Sequence, residues 1–256
     1  MTDAPTPKIV HATERRWSDV SELLDASGEQ GCWCQAWRGL DTVALSEGKS
    51  RPQLLRQQMR GGPPAPGFLA YLDGVPVGWV GVGVRPQIPR LVNSRTIPAV
   101  DDLPVWSIGC FRIRPGYRRR GVARALLGGV VEAARRAGAP GVEAYPIDPE
   151  GRRVEVGAGF VGIASMFDAA GFRRVLVTDG HSGGLPRLLV RLDLEAGTNQ
   201  GACPVWTDSL RLARRRSTPS VGGAALTRPA VTPSCGDQQH RGKEHEPDRE
   251  RAQRPP

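Results

Sequence analysis

From Phe111 to Leu127 the chain reads Phe-Arg-Ile-Arg-Pro-Gly-Tyr-Arg-Arg-Arg-Gly-Val-Ala-Arg-Ala-Leu-Leu. This is an alternating strand, a basic glycine-containing turn and the opening turns of an amphipathic helix. A helix that begins inside such a turn presents unpaired backbone N–H groups and the positive end of its dipole to solvent. The spacing therefore predicts an anion site, and a phosphate or pyrophosphate is the anion most easily held there. Gly121 leaves room for close backbone approach, and Ala123 keeps the helix start small. Arg118, Arg119, Arg120 and Arg124 surround it with charge.

Other nucleotide loops do not fit. No Lys-Ser or Lys-Thr follows Gly121, which removes the G-x-x-x-x-G-K-[ST] phosphate loop. Only Gly121 matches the G-x-G-x-x-G dinucleotide fingerprint, so that is rejected as well.

Around this segment the apolar pattern predicts one α/β domain over residues 8–194. A first strand lies near Lys8–Ala12, and a helix capped by Thr13 or Ser18 runs to about Ser27. A second helix spans about Ser50–Arg60. Asp73-Gly74 between alternating apolar runs signals a hairpin. Residues 85–104, crowded with proline and arginine, read as a loop, and Val105–Ile113 as a strand. The helix from Val122 to about Ala137 keeps Val122, Leu126, Val130, Ala133 and Ala137 on one face. A strand at Val142–Ile147, a Gly-rich loop, a helix near Val161–Ala170 and a late strand pair (Phe172–Val177, Arg187–Leu192) complete the order.

From Glu195 onward the sequence turns to Pro, Ser, Thr, Gly, Arg and Gln, with ten Lys/Arg against seven Asp/Glu. Such composition buries too little apolar surface to offset ordering entropy. Residues 195–256 are expected to be a low-complexity, disordered tail. The net charge of +9 suits an anionic ligand. Nucleic acid is not the expected partner, because the arginines are not interleaved with aromatics and no nucleic-acid motif is present. Five cysteines, no leader segment and no long apolar run lead to the expectation of a reduced, cytoplasmic protein without membrane association.

Arg118-x-x-Gly121-x-Ala123 after a strand resembles the Q/R-x-x-G-x-G/A pyrophosphate loop of the GNAT family of N-acetyltransferases, which bind acetyl-coenzyme A. Leu69-Ala-Tyr-Leu-Asp-Gly-Val-Pro-Val-Gly-Trp79 is similar to the family's hairpin. Met166-Phe-Asp-Ala-Ala-Gly-Phe172 stands where the family shows L-Y-E-K-L-G-F, and Gly31-Cys-Trp-Cys-x-x-Trp-Arg38 resembles a bacterial subset. The resemblance covers residues 8–194 and implies a GNAT-type mixed, twisted sheet flanked by helices. It implies two parallel neighbouring strands that splay apart. Phe111, Arg112 and Ile113 would offer backbone groups to the pantetheine arm. The turn at Arg118, Arg119, Arg120, Gly121, Val122, Ala123 and Arg124 would hold the pyrophosphate. A main-chain N–H near Phe111 would polarise the thioester carbonyl. The implied activity is transfer of an acetyl group to a primary amine by direct attack in a ternary complex. A non-catalytic acyl-CoA-binding or regulatory module is the alternative.

Transfer needs a neutral amine, hence a base, and an acid for the departing thiolate. In many relatives that acid is the Tyr of L-Y-E-K-L-G-F, and here Phe167 replaces it. The candidates for proton transfer are Glu143, Tyr145 and Asp148. Glu143 reads either as a base facing the cleft or as a solvated strand residue. Ser165 and His181 are weaker, the latter as a loop base above the cleft. Cys32 and Cys34 beside Trp33 and Trp37 suggest metal, redox or packing, with packing over the acceptor cleft preferred and no metal expected. The acceptor and the oligomeric state, a homodimer included, stay open.

Overall fold

The computed structural model describes residues 5–25, 31–39, 47–61, 64–152, 157 and 159–194. The chain divides into two units, Met1–Pro204 and Val205–Pro256. The predicted tail at 195–256 lies outside the described residues, as does the predicted helix end at Ser27.

Strand β1 (Lys8–His11) leads through a 3-10 turn, Glu14–Arg16, into α1 (Trp17–Leu24), which buries Val20, Leu23 and Leu24. Helix α2 (Arg51–Met59) is fixed at its start by the Ser50 N–H donating to Gln53 Oε1 at 2.8 Å, with proline in its first turn. Strands β2 (Gly67–Leu72) and β3 (Val75–Val84) form the expected hairpin. Asp73 and Gly74 both take positive φ, +50° and +78°, as a tight two-residue turn requires. Beyond Val75, β3 is buried throughout, which marks it as an interior strand.

Residues 85–104, expected as a loop, contain a 3-10 turn at Arg85–Gln87 and a short helix, α3 (Pro89–Val92). Pro86 and Pro89 sit in the first turns, where a missing N–H costs nothing. Ile88, Leu91 and Ile97 anchor the segment by burial. Strand β4 (Trp106–Ile113), helix α4 (Val122–Arg136) and strand β5 (Gly141–Ala144) follow, then α5 (Ala164–Asp168), β6 (Arg173–Ser182) and β7 (Leu185–Asp193). The late pair is longer than expected. His181 is thus an exposed residue on β6 rather than in a loop, with Nδ1 2.9 Å from Asp179 O.

The seven strands form one sheet in the order β1-β2-β3-β4-β5-β7-β6. Every pairing is antiparallel except β4 with β5. Alternation along β3 sorts the two faces. Gly78 faces α4: a β-carbon there would sit 2.7 Å from Val122 Cγ1. Trp79 faces the other way, into a core with Leu23, Leu24, Trp33, Cys34, Leu55, Met59 and Cys110. No helix among the described residues is long and apolar enough to cross a membrane.

Candidate functional site

The parallel contact between β4 and β5 is short. It pairs Trp106 with Val142, Ser107 with Glu143 and Ile108 with Ala144, and then stops. Strand β5 ends at Ala144 and runs into Tyr145-Pro146, while β4 continues to Ile113. Proline has no N–H to extend a ladder. On its other side, β4 shifts register against β3, with Gly81 opposite Cys110 and Val82 opposite Ile108. Gly109 is the extra residue of a bulge, which bends the strand at the point where its parallel neighbour leaves. Among the described residues, Gly109–Ile113 has no strand partner on the β5 side.

Immediately after this free edge comes the basic turn. Gly116 (φ +83°), Arg119 (φ +60°) and Gly121 (φ +77°) all take left-handed backbone. Gly121 is the N-cap of α4 and supplies no capping side chain; its carbonyl accepts from Ala125 N–H at 3.0 Å. The N–H groups of Val122, Ala123 and Arg124 are therefore left without partners among the described residues. A β-carbon on Gly121 would meet nothing within 4 Å, so the space ahead of the helix is open. Arg118, Arg119, Arg120 and Arg124 are exposed, and no carboxylate of the described residues lies within ion-pair distance of them. Arg120 stacks over Tyr117 at 5.2 Å. Exposed N–H and guanidinium groups around an open space are residues that fit a diphosphate.

The structure brings Arg118, Arg119, Arg120, Gly121, Ala123 and Arg124 together at the surface. Val122 turns its side chain inward onto Gly78 and offers only its N–H. The Phe111 ring is buried edge-on against Phe167 at 6.2 Å, which leaves only its main chain along the edge. Arg112 and Ile113 are half-buried along the edge.

The proton-transfer candidates are corrected in setting. Glu143 is 1% exposed, neither solvated nor open to a cleft. Its Oε1 accepts from Arg85 Nη1 at 2.6 Å, from Tyr145 Oη at 2.5 Å and from Ser107 Oγ at 3.1 Å. Arg85 Nη1 also donates to Tyr145 Oη at 2.6 Å. Burial, reinforced by the Glu143 charge, pushes the Tyr145 phenol well up, so it holds its proton firmly. Asp148 accepts from the Glu150 N–H at 3.1 Å and from Arg174 at 2.7 Å. Those two donors hold its carboxyl below the usual range, which makes it a weak base. Ser165 is exposed on α5. Phe167 is fully buried between Phe111 and Phe172, the latter ring at 5.3 Å.

Arg85 and Ser107 join this set without any motif to mark them. Glu143 and Tyr145 stand two apart, one on β5 and one just past its end, between apolar residues, which signals polar groups turned into a core. Arg85 directly follows a wholly apolar strand, the place from which a buried counter-charge would come. Two open surface hollows, one beside His11 and Arg16 and one beside Gly39 and Asn93, are not lined by β4, β5 or the turn. Among the described residues no three His, Cys, Asp or Glu side chains cluster as metal ligands.

The site thus sits in a mixed α/β sheet with one parallel pair, opened at a bulge and followed by a helix start with unpartnered N–H groups. Residues 33–151 match the model of the acetyltransferase (GNAT) family. No curated protein matches the chain. Solved structures that resemble it include a histone acetyltransferase HPA2 and related acetyltransferase from Corynebacterium glutamicum, at 15% identity and a TM-score of 0.47, covering 76% of this chain and 99% of that one. The loading GNATL domain of CurA from Lyngbya majuscula is 14% identical, with a TM-score of 0.45, covering 73% and 97%. The PaiA N-acetyltransferase from Thermoplasma acidophilum, in complex with coenzyme A, is 15% identical, with a TM-score of 0.42, covering 73% and 98%.

Proposed function

We propose that the protein is an acetyl-CoA-dependent N-acyltransferase that passes an acetyl group to a primary amine within a ternary complex. The observation that carries this reading is the adjacency of a free strand edge, Gly109–Ile113, and an unpartnered, arginine-rich helix start at Arg118–Arg124. One holds a peptide-like arm and the other a diphosphate, and coenzyme A has both in that order. When bound, it supplies an activated acetyl thioester.

The chain's own residues do the rest. Main-chain groups of Phe111, Arg112 and Ile113 pair with the arm as a further strand would. N–H groups and guanidinium groups from Arg118 to Arg124 neutralise the phosphates. The buried set of Arg85, Ser107, Glu143 and Tyr145 rivets β4 to β5 one rung before they part, and so fixes the width of the opening. With Glu143 neutralised by Arg85 and Asp148 held by Arg174, the acceptor amine loses its proton to water rather than to one of these carboxylates. Phe167 donates no proton, so the thiol leaves as its anion.

Catalysis rather than simple binding is favoured by the family match. The domain is assigned to residues 8–194, with 195–256 as an appended tail, in a cytoplasmic protein. The test is thiol release from acetyl-CoA across a broad amine panel, alongside calorimetric binding of coenzyme A. Amine-dependent release supports the enzyme. Binding with no turnover for any amine would replace it with the acyl-CoA-binding module, and salt-sensitive affinity for DNA that coenzyme A does not displace would overturn both.

A further inference from the structure

On the sheet face opposite α4, two sulfurs meet. Cys34 Sγ and Cys110 Sγ are 2.6 Å apart, both residues are buried, and both are free thiols. Cys110 belongs to β4, between the bulge at Gly109 and Phe111. Cys34 is aimed at it by a sharp turn in which Trp33 (φ +46°) and Cys34 (φ +56°) both take left-handed backbone, a conformation that costs a non-glycine residue energy. Gly81 makes room for the pair: a β-carbon there would lie 3.1 Å from Cys110 Sγ and 3.2 Å from Cys34 Sγ.

The groups around the sulfurs are donors. Trp79 Nε1–H points at Cys34 Sγ from 2.9 Å. Trp37 Nε1–H is buried beside Gly81 with no acceptor among the described residues. Arg38 is 7% exposed, and its Nη2 donates to the carbonyls of Pro66 and Val82 at 2.6 and 2.7 Å. No carboxylate of the described residues lies within ion-pair distance of it, and its Nε has no partner. A buried guanidinium without a counter-charge is expensive. A neutral thiol is a poor acceptor, whereas a thiolate would answer both the charge and the idle N–H groups. The hydrogen bond from Cys34 and the Arg38 charge pull the Cys110 thiol down against the effect of burial, while burial pushes Cys34 up.

We propose that Cys34 and Cys110 form a redox-modification site, a thiol–thiolate pair that a hydroperoxide converts to a disulfide joining the 31–39 segment to β4. The Cys110 thiolate attacks the O–O bond of the peroxide. One oxygen stays on sulfur as a sulfenic acid, and the other leaves as water or an alcohol after taking up a proton. The Cys34 thiol then attacks the sulfenic sulfur, forms the S–S bond and releases water. Two electrons pass from the two thiols to the peroxide. Cys110 keeps 9% of its surface exposed, which suits an oxidant the size of water. The proposal goes beyond the transfer reaction and does not depend on it.

The experiment uses the full reduced chain with hydrogen peroxide, followed by denaturation, alkylation and peptide mass mapping. The expected product is a Cys34–Cys110 crosslink, two hydrogen atoms lighter and reversed by dithiothreitol. The bond closes a separation of 76 residues, so the oxidised protein should melt about 5–10 °C higher than the reduced one. Cys32→Ala should still form the crosslink, while Cys34→Ala and Cys110→Ala should each abolish it. Full alkylation of Cys34 and Cys110 after peroxide, or a crosslink that instead involves Cys32, Cys203 or Cys235, would overturn the proposal. The mapping on the unaltered chain decides the matter even if an alanine variant does not fold.

Discussion

Trp37 packs its indole directly on Gly109: a β-carbon at Gly109 would lie 2.1 Å from Cδ2 of the ring. The tryptophan comes from the irregular segment after α1, and the glycine is the bulge residue of β4. The glycine is therefore required by its neighbour, and the contact sets the 31–39 segment against the strand that the cofactor is proposed to pair with.

Gly109→Val should push Trp37 off the strand or distort the bulge. The expected loss is about 2–3 kcal/mol of stability, in line with other overpacked sites. Thermal and urea melts of the variant check it, and an unchanged melt would show that the ring moves aside freely.

Gly121 bears on ligand more than on fold. Its φ of +77° makes any side chain there strained, so Gly121→Ala should cost about 1–2 kcal/mol. Gly121→Glu adds a negative charge where the phosphates are proposed to lie. Its coenzyme A dissociation constant should rise about 100-fold or more, measured by calorimetry, while Gly121→Ala stays within about tenfold.

Removing either partner of the rivet alone is costly. Glu143→Gln or Arg85→Met leaves its partner buried and unpaired, and each should cost about 3–5 kcal/mol. The double variant Arg85→Met/Glu143→Leu should recover much of that in urea melts. Were the single variants to melt like the parent, the pair would carry no such role.

Acid should loosen the far edge of the sheet. Burial raises the Asp193 carboxyl, but hydrogen bonds from Arg173 and Arg191 outweigh it and hold it below its ordinary value. A depressed carboxylate stabilises the fold above its unfolded pKa of about 4, and that contribution fades as pH falls through the folded value. The melting temperature should be flat from neutral pH to about pH 5 and decline below about pH 4. Asp193→Asn should flatten that decline.

Truncation after Leu194 should leave the melting temperature and coenzyme A affinity within error of the full chain. An insoluble product would instead give residues 195–256 a part in folding.

The architecture was legible wherever period and punctuation agree. Asp73-Gly74 gave the hairpin, the stripe from Val122 to Ala133 gave the long helix, and the strand–turn–helix text placed the basic turn ahead of it. What escaped was tertiary. Residues 85–104 looked irregular because Pro86 and Pro89 break patterns, yet they start short helices pinned by Ile88 and Leu91. Glu143 read as a solvated or cleft-facing base because the sequence cannot show that Arg85, 58 positions earlier, meets it at 2.6 Å. The contact between Cys34 and Cys110 spans a still longer stretch, and only the packing of the 31–39 segment on β4 brings it about.

The three rungs between β4 and β5 are the whole parallel seam between a four-strand meander and a three-strand group. A seam that short should breathe before the rest of the sheet does, exchanging its amide protons with solvent soonest when nothing lies beside it. A bound arm laid along the free edge would then act as the missing stitches, so that cosubstrate both reacts in the molecule and holds its two halves in register.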